Sequence, residues 1–199
     1  MPKRVQSPSS INLFKQCPRR YFYQYILKYP TKQNIHCIRG NIVHTALEKF
    51  YDVRPETLDP LALKKDLAGT LKQLFDYTWR SQKKALNTLG LSPEELQFYY
   101  DDSVQQLANW LNHYFRDLDK EMKQSDFVSA WNRLKPHARE LEFKDLDLGV
   151  RGFIDVIHKD GEDVMVVDYK TSKKFDITPE YRLQLGIYAL LYKKQHGHY

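Results

Sequence analysis

Three charged residues in the last quarter of the sequence are of types that together bind metal ions and phosphates. Asp168 and Lys170 stand two positions apart, directly after the apolar run 164–167, and Asp155 interrupts another apolar stretch. Charged side chains inside a sheet are costly unless they are paired or bind a metal. Their placement therefore requires either an ion pair or a bound cation.

A β-hairpin is the element that would bring the two carboxylates together. Residues 150–157 and 163–170 are both rich in apolar and β-branched residues. The dipeptide Asp160–Gly161 lies between them, and Asp-Gly between two such runs favours a tight hairpin turn. The sequence therefore predicts two adjacent antiparallel strands, one with each carboxylate.

The register of this hairpin decides on which face Asp155 lies. If Asp160 and Gly161 form a two-residue turn, counting back along the strands pairs Asp155 with Val166. Asp155 is then the diagonal neighbour of Asp168 on one face, about 7–8 Å away at Cα. A four-residue loop gives the same register, whereas a three-residue loop would turn Asp155 to the other face.

Two convergent carboxylates repel each other unless a proton or a cation lies between them. Mg²⁺ and Mn²⁺ prefer carboxylate, carbonyl and water oxygens, so Asp155 and Asp168 are candidate ligands. Lys170 could orient or deprotonate a water molecule and could stabilise negative charge on a phosphate. The alternative is that Lys170 only forms a salt bridge with Asp168 at the end of the strand, and the residues alone leave both interpretations open.

The N-terminal segment is the basic part of the chain. The first 47 residues contain eight Lys or Arg and no Asp or Glu, whereas the whole chain of 199 residues has a net charge of +6. Aromatic residues are interleaved with these basic residues. Basic groups neutralise phosphates and aromatic rings stack on bases, so the segment is a candidate nucleic-acid surface. Alternatively, the aromatic rings are core residues and the basic groups form a solvated face.

The composition predicts a globular protein of the cytoplasm. The hydrophobic fraction of 42% is sufficient for a core. No run of about 18 apolar residues is present, and no apolar stretch follows Lys3 and Arg4, so we expect neither a transmembrane helix nor a secretory signal. The two cysteines, Cys17 and Cys37, fit no disulfide framework and no zinc spacing, and a reducing cytosol is the simplest compartment.

Helical periodicity dominates the first two thirds of the chain. Ser9 or Ser10 is the predicted N-cap of a short first helix, and Ser92 with Glu95 forms a capping-box pattern. A final helix should begin after Thr178. We predict a single domain over residues 1–199, with helices at 40–51, 60–86 and 93–122, a helical insertion at about 55–130 and a catalytic sheet core at about 139–195.

Five short motifs occur in a specific order along the chain. They are CPRRYFYQYI at 17–26, GNIVH at 40–44, GFID at 152–155, DYKTS at 168–172 and QLGIY at 184–188. Together they resemble the PD-(D/E)XK nuclease superfamily, and more specifically its RecB-like branch, which includes the AddB nuclease domain and the CRISPR-adaptation nucleases. The resemblance implies an α/β fold with a restriction-endonuclease-like core, in which a central mixed β-sheet is flanked by helices.

The resemblance also implies roles for individual residues. His44, Asp155 and Asp168 would be metal ligands together with the carbonyl oxygen of Tyr169, and the metal would be Mg²⁺ or Mn²⁺. Lys170 would be the catalytic lysine. The remaining residues of the predicted site, which would line it or bind nucleic acid, are Gln184, Tyr188, Arg19, Arg20, Tyr21 and Arg39.

The activity that the resemblance implies is metal-dependent hydrolysis of DNA phosphodiester bonds. We expect an exonuclease for single strands or DNA ends, active in DNA repair, recombination or CRISPR-type processing, with a helicase or a recombination or CRISPR protein as a candidate partner. The alternative is a catalytically inactive DNA-binding or scaffold subunit. Many relatives hold an iron–sulfur cluster with one early and three late cysteines. Only Cys17 has a counterpart here, so we expect no such cluster in this chain.

Overall fold

The chain folds into two units, one built around a sheet and one built from helices. The computed structural model describes residues 4–171 and 176–197, so Ser172 of the DYKTS motif lies outside the described residues. The sheet unit comprises Met1–Lys32 and His137–Tyr199, and the helical unit comprises Gln33–Pro136. Among the helices of the described ranges, none combines the length and the apolar character that crossing a membrane requires.

The helical unit contains the predicted insertion and also the helix of the GNIVH motif. An aromatic cluster around the fully buried Phe50 and Trp131 forms part of its core. Its helices are α3 (Ile35–Phe50), α4 (Leu63–Ser81), α5 (Lys83–Asn87), α6 (Pro93–Glu121) and α7 (Phe127–Leu134), with a 3₁₀ turn at Pro55–Thr57.

The capping box predicted for α6 is confirmed. The Ser92 hydroxyl accepts the Glu95 N–H at 3.2 Å, and the Glu95 carboxylate accepts the Ser92 N–H at 2.8 Å. The single helix predicted over 60–86 is instead two helices, α4 and α5. The break follows Ser81, whose hydroxyl donates to the Thr78 carbonyl at 2.7 Å and so competes with the helical hydrogen bonds of that turn.

Three antiparallel strands form the sheet of the other unit, in the order β1 (Ala138–Asp145), β2 (Val150–Asp160) and β3 (Asp163–Val167). Helix α8 (Pro179–His196) begins at the predicted cap, Thr178, and packs on the sheet. The described architecture is thus a mixture of helices with a small antiparallel sheet. The mixed central sheet stays a prediction, because the described part of the chain shows only one isolated parallel bridge.

The β2–β3 hairpin forms where predicted, but the predicted register is wrong by two residues. Asp160 pairs with Asp163, and Ile157 rather than Asp155 pairs with Val166. Gly161 is therefore the first residue of the two-residue turn, where its φ of 60° is a conformation that favours glycine. Because the pairing is shifted by an even number of residues, each side chain lies on the same face of the hairpin in the predicted and in the observed register.

The N-terminal segment is joined to the sheet by backbone hydrogen bonds. Gln6 forms a parallel bridge with Val150: its N–H donates to the Gly149 carbonyl and its carbonyl accepts the Arg151 N–H, both at 2.8 Å. The first helix, α1 (Pro8–Gln16), follows at once. Its cap is Ser7 and not the predicted Ser9 or Ser10, because Pro8 favours the first helical position and its cap is the residue before it. Helix α2 (Pro18–Tyr21) and a π-helical turn, Phe22–Ile26, come next.

Candidate active site

Three carboxylates occupy neighbouring positions across the three strands. The pairs Arg139–Val156 and Leu141–Ile154 place Glu140 directly opposite Asp155. Carboxylate oxygens of Glu140 and Asp155 lie within 4.8 Å of each other. On the other side of β2, the register places Asp168 opposite Asp155, one residue beyond the last paired residue of β3. We call Glu140, Asp155 and Asp168 the acidic row.

The two carboxylates of the original hairpin prediction are both buried. Asp155 is 8% exposed and the Asp168 side chain is 6% exposed. The Tyr169 N–H donates to Asp155 Oδ2 at 2.6 Å, and Gln184 Nε2 donates to Asp168 Oδ1 at 2.8 Å. These bonds orient the carboxylates, but buried like charges still require a compensating positive charge.

The backbone at the acidic row departs from regular strand geometry. Glu140 has a φ of 46°, which is rare for a residue other than glycine. Ile154 and Ile157 are three residues apart, so regular alternation would place them on opposite faces, yet both belong to the core cluster that α8 completes. The alternation is therefore interrupted where Glu140 faces Asp155. Such local strain is typical of functional sites.

Lys170 is held beside the acidic row by groups from α8. Its Nζ donates to Gln184 Oε1 at 2.8 Å, forms an ion pair with Asp168 and lies 4.9 Å from the centroid of the Tyr181 ring. The salt bridge of the alternative interpretation is thus present. It does not exclude the chemical role, because the same contacts hold an ammonium group next to the buried carboxylate of Asp168.

Gln184 connects the lysine to the core of the sheet unit. Its amide nitrogen also donates to the Tyr188 hydroxyl at 2.6 Å, so one amide group bridges Lys170, Asp168 and Tyr188. Tyr188 is 4% exposed, and burial raises the pKa of its phenol to about 12. The phenol therefore stays protonated, and neutral, at physiological pH.

Gly152 of the GFID motif leaves room for the Tyr188 ring. A Cβ atom built on Gly152 would lie 2.5 Å from Cε1 and 2.9 Å from Cδ1 of Tyr188. Real Cβ atoms do not approach other atoms so closely. The glycine thus fixes how near α8 approaches β2, and with it the position of Gln184 one turn earlier.

The other predicted residues lie in the N-terminal segment and on α3 of the helical unit. Arg19 and Arg20 are exposed on α2, whereas the Tyr21 hydroxyl donates to Gln6 Oε1 at 3.0 Å within the N-terminal segment. His44 lies on α3 of the helical unit. Arg39, on the same helix, is 3% exposed and forms an ion pair with Asp102 at 2.6 Å.

Glu140 is the member of the acidic row that the sequence analysis missed. The sequence contains the information that would have located it. Residues 146–149 form the loop between β1 and β2, so Asp145 pairs with Val150. Counting from the pair Asp145–Val150 across that loop places Glu140 opposite Asp155. The sequence did not fix the length of the loop, and an error of one residue would have moved Glu140 to the other face.

Comparison with known families identifies the superfamily of the chain. A family model described as the PD-(D/E)XK nuclease superfamily matches residues 6–199. The chain belongs to the PD-(D/E)XK nuclease superfamily. Nucleases of this superfamily use divalent metals, and membership indicates a metal-dependent nuclease with DNA as its substrate. No curated protein and no solved structure matches the chain in the corresponding comparisons.

The contact between Gly152 and Tyr188 can be tested with a double-mutant cycle. We expect Gly152→Ala to lower the free energy of unfolding by about 1–3 kcal/mol, because the new methyl group overlaps the ring. In a Tyr188→Leu background the same substitution should cost less than about 1 kcal/mol. Urea denaturation gives each value. Gly186→Ala, on α8 with open space around the glycine, is the control. Equal costs of Gly152→Ala in both backgrounds would contradict the contact.

Proposed function

We propose that this chain is a Mg²⁺- or Mn²⁺-dependent deoxyribonuclease that acts as an exonuclease on single strands or DNA ends. The observation that supports this most strongly is the acidic row with Lys170 beside it. Acidic oxygens that converge at a strand end, next to a fixed ammonium group, are suited to binding a divalent cation and a phosphate together.

The chain offers a donor set that hard divalent cations prefer. Asp155, Asp168 and the carbonyl oxygen of Tyr169 are the proposed ligands, and Glu140 is added to them from its position in the row. His44 is a further proposed ligand, because the resemblance implies it. When bound, the ion would lower the pKa of a coordinated water molecule and neutralise charge on the phosphate.

Lys170 has two proposed tasks in hydrolysis. Its ammonium group can donate a hydrogen bond that positions the attacking water, and it can stabilise the negative charge that develops on the phosphate oxygens. Gln184 limits the freedom of the ammonium group through the 2.8 Å hydrogen bond to its amide oxygen. We therefore propose that Lys170 is catalytic and that Gln184 positions its ammonium group.

The exposed N-terminal surface is proposed to guide the DNA strand. Tyr23 and Tyr29 stack with ring centroids 5.7 Å apart and an interplanar angle of 7°, and the Arg19 guanidinium lies 5.7 Å from the Tyr23 ring centroid. Arg20 adds a second exposed cation. Stacked rings beside guanidinium groups suit a sugar–phosphate strand. We leave Arg39 out of this surface because of its burial.

The biological setting is proposed from the motifs alone. Their order resembles that of the RecB-like branch, and on that resemblance we propose a role in DNA repair, recombination or CRISPR-type processing in the cytoplasm. A helicase or a recombination protein is the corresponding partner. The alternative of an inactive DNA-binding subunit is disfavoured because Asp155, Asp168, Lys170 and Gln184 are all present and close together.

The activity is tested by digestion of DNA in Mn²⁺, Mg²⁺ or EDTA. We expect end-labelled single strands to be cut in either metal and closed circular duplex to resist. Lys170→Ala should lower the rate at least about 100-fold, the usual effect of losing a group that stabilises developing charge. Lys144→Ala, an exposed lysine on β1, is the matched control. Wild-type rates in Lys170→Ala would contradict the mechanism, and DNA binding without cleavage would support the inactive subunit.

The place of Glu140 in the metal site is tested by titration calorimetry with Mn²⁺. Glu140→Gln should weaken Mn²⁺ binding about 10- to 100-fold, because the substitution removes one of the converging charges. Glu142→Gln changes the same residue type two positions further along β1, where the side chain pairs with Arg151 at 3.5 Å instead. This control should bind Mn²⁺ as the unmodified chain does. Equal Mn²⁺ affinities for both variants would show that Glu140 is not a ligand of the metal.

A further inference from the structure

The Lys170 ammonium group is in contact with an aromatic ring as well as with polar groups. Asp168 forms an ion pair with it, and Gln184 on α8 accepts its hydrogen bond at 2.8 Å. Tyr181, also on α8, places its ring centroid 4.9 Å from the ammonium nitrogen. The face of an aromatic ring is electron-rich and attracts a cation that lies within about 6 Å of the centroid. The ring therefore attracts Lys170 by a different physical interaction from the ion pair and the hydrogen bond.

The partners of Lys170 differ in the other tasks that they have. Asp168 is a proposed metal ligand, and its Oδ1 also accepts a hydrogen bond from Gln184 at 2.8 Å. The ion pair with Lys170 competes with the binding of a metal ion, because two cations on one carboxylate repel each other. The Tyr181 ring carries no net charge, and its face offers no oxygen ligand. Its contact with Lys170 is therefore compatible with metal binding at Asp168.

The first turn of α8 fixes the position of the Tyr181 ring. Tyr181, Gln184 and Tyr188 are spaced by three and then four residues, so they share one face of the helix. The Tyr181 N–H donates to the hydroxyl of Thr178, the N-cap, at 3.4 Å, and Pro179 occupies the first helical position. Such a cap stabilises the start of a helix. The turn that carries the ring is thus held by contacts outside the acidic row.

Lys170 requires such support because its side chain is accessible to water. It is 35% exposed, whereas the Asp168 side chain is 6% exposed. The ammonium group of lysine is strongly hydrated and stands on a flexible four-carbon stem. The hydrogen bond to Gln184 restrains the group from one direction, and the Tyr181 ring occupies a second side of it. Without the ring, water would take that side, and the stem would be free to turn toward solvent.

We propose that Tyr181 is a positioning residue for Lys170, and that its ring holds the ammonium group at the acidic row while Asp168 serves the metal ion. This inference rests on the proposed nuclease function, and it concerns a residue outside the five sequence motifs. The task of the ring is electrostatic. The electron density of its face, and not only its size, therefore determines how well Lys170 is held.

Ring variants of Tyr181 test this task through kcat and KM on an end-labelled single strand in Mn²⁺. Tyr181→Phe should retain kcat. Phenylalanines with one, two or three ring fluorines at this position keep the shape but lose electron density, so kcat should fall stepwise. Tyr181→Leu should lower kcat about 5- to 30-fold, with KM changed less than about twofold.

Tyr77→Leu, at an exposed tyrosine of α4, is the matched control and should change neither constant. Equal kcat values across the fluorinated series would overturn the inference, because a ring that only fills space is insensitive to its electron density. A loss confined to KM would also overturn it, since that result places the ring on the DNA.

Proton NMR of the whole chain with isotope-labelled lysine follows the contact without cleavage. The ε-CH₂ protons of Lys170 should resonate upfield, because protons above a ring face are shielded, and Lys170→Arg identifies their signal. Tyr181→Leu should abolish the upfield shift and Tyr181→Phe should keep it. The shift should persist when Mg²⁺ is added to the EDTA-treated chain. An unshifted signal, or a shift that Mg²⁺ abolishes, would overturn the inference.

The outcomes separate the role of Tyr181 from the proposed activity. If the ring shift behaves as expected but the chain does not cut DNA in Mn²⁺, the positioning of Lys170 stands and the nuclease function fails. If the chain cuts DNA but fluorination leaves kcat unchanged, the nuclease function stands and the inference fails. Circular dichroism verifies the fold of Tyr181→Leu. If that variant does not fold, the fluorinated series decides, because it keeps the ring in place.

Discussion

Repulsion among three adjacent carboxylates is the constraint around which the sheet unit is organised. Asp155 on β2 lies opposite Glu140 on β1, and on its other side it lies opposite Asp168, which directly follows β3. Like charges directly opposite each other destabilise a sheet. Two charges within 4.8 Å repel by on the order of 3 kcal/mol at an effective dielectric constant of 20. A hydrogen bond to a charged group contributes about 1.5–3 kcal/mol, so the bonds from Tyr169 and Gln184 offset much of this pairwise repulsion but leave the net negative charge of the row unchanged. Lys170 neutralises one of the three charges, and the remaining charge matches a divalent cation.

The surrounding elements serve to hold this unfavourable arrangement in place. Helix α8 supplies Gln184, which bridges the lysine and a carboxylate, and Gly152 lets the helix approach closely enough to do so. The strained backbone at Glu140 lies on β1, directly beside the part of β2 that carries the core residues Ile154 and Ile157. Strain of this kind costs about 1–3 kcal/mol and survives only where packing compensates for it. The stability of the sheet unit and its proposed chemistry therefore depend on the same contacts.

Much of this arrangement could be predicted from the sequence, and the failures have identifiable causes. Alternation and the Asp-Gly signal were sufficient to place Asp155 and Asp168 on one face, although the turn begins at Gly161 and not at Asp160. That error did not move either carboxylate to the other face, because it shifted the pairing by an even number of residues. Glu140 was missed because the length of the first loop was undetermined. The Gln6 bridge was not predictable, since a backbone pairing between distant segments has no side-chain pattern.

The central claim is that the acidic row binds a divalent cation, and anomalous diffraction from crystals grown with Mn²⁺ tests it most directly. The account predicts one or two anomalous peaks at coordination distance, about 2.0–2.3 Å, from oxygens of Asp155 and Asp168. In crystals of Asp155→Asn the peaks should weaken or disappear. A row without a peak at saturating Mn²⁺, or a peak bound only by residues outside the row, would contradict the account.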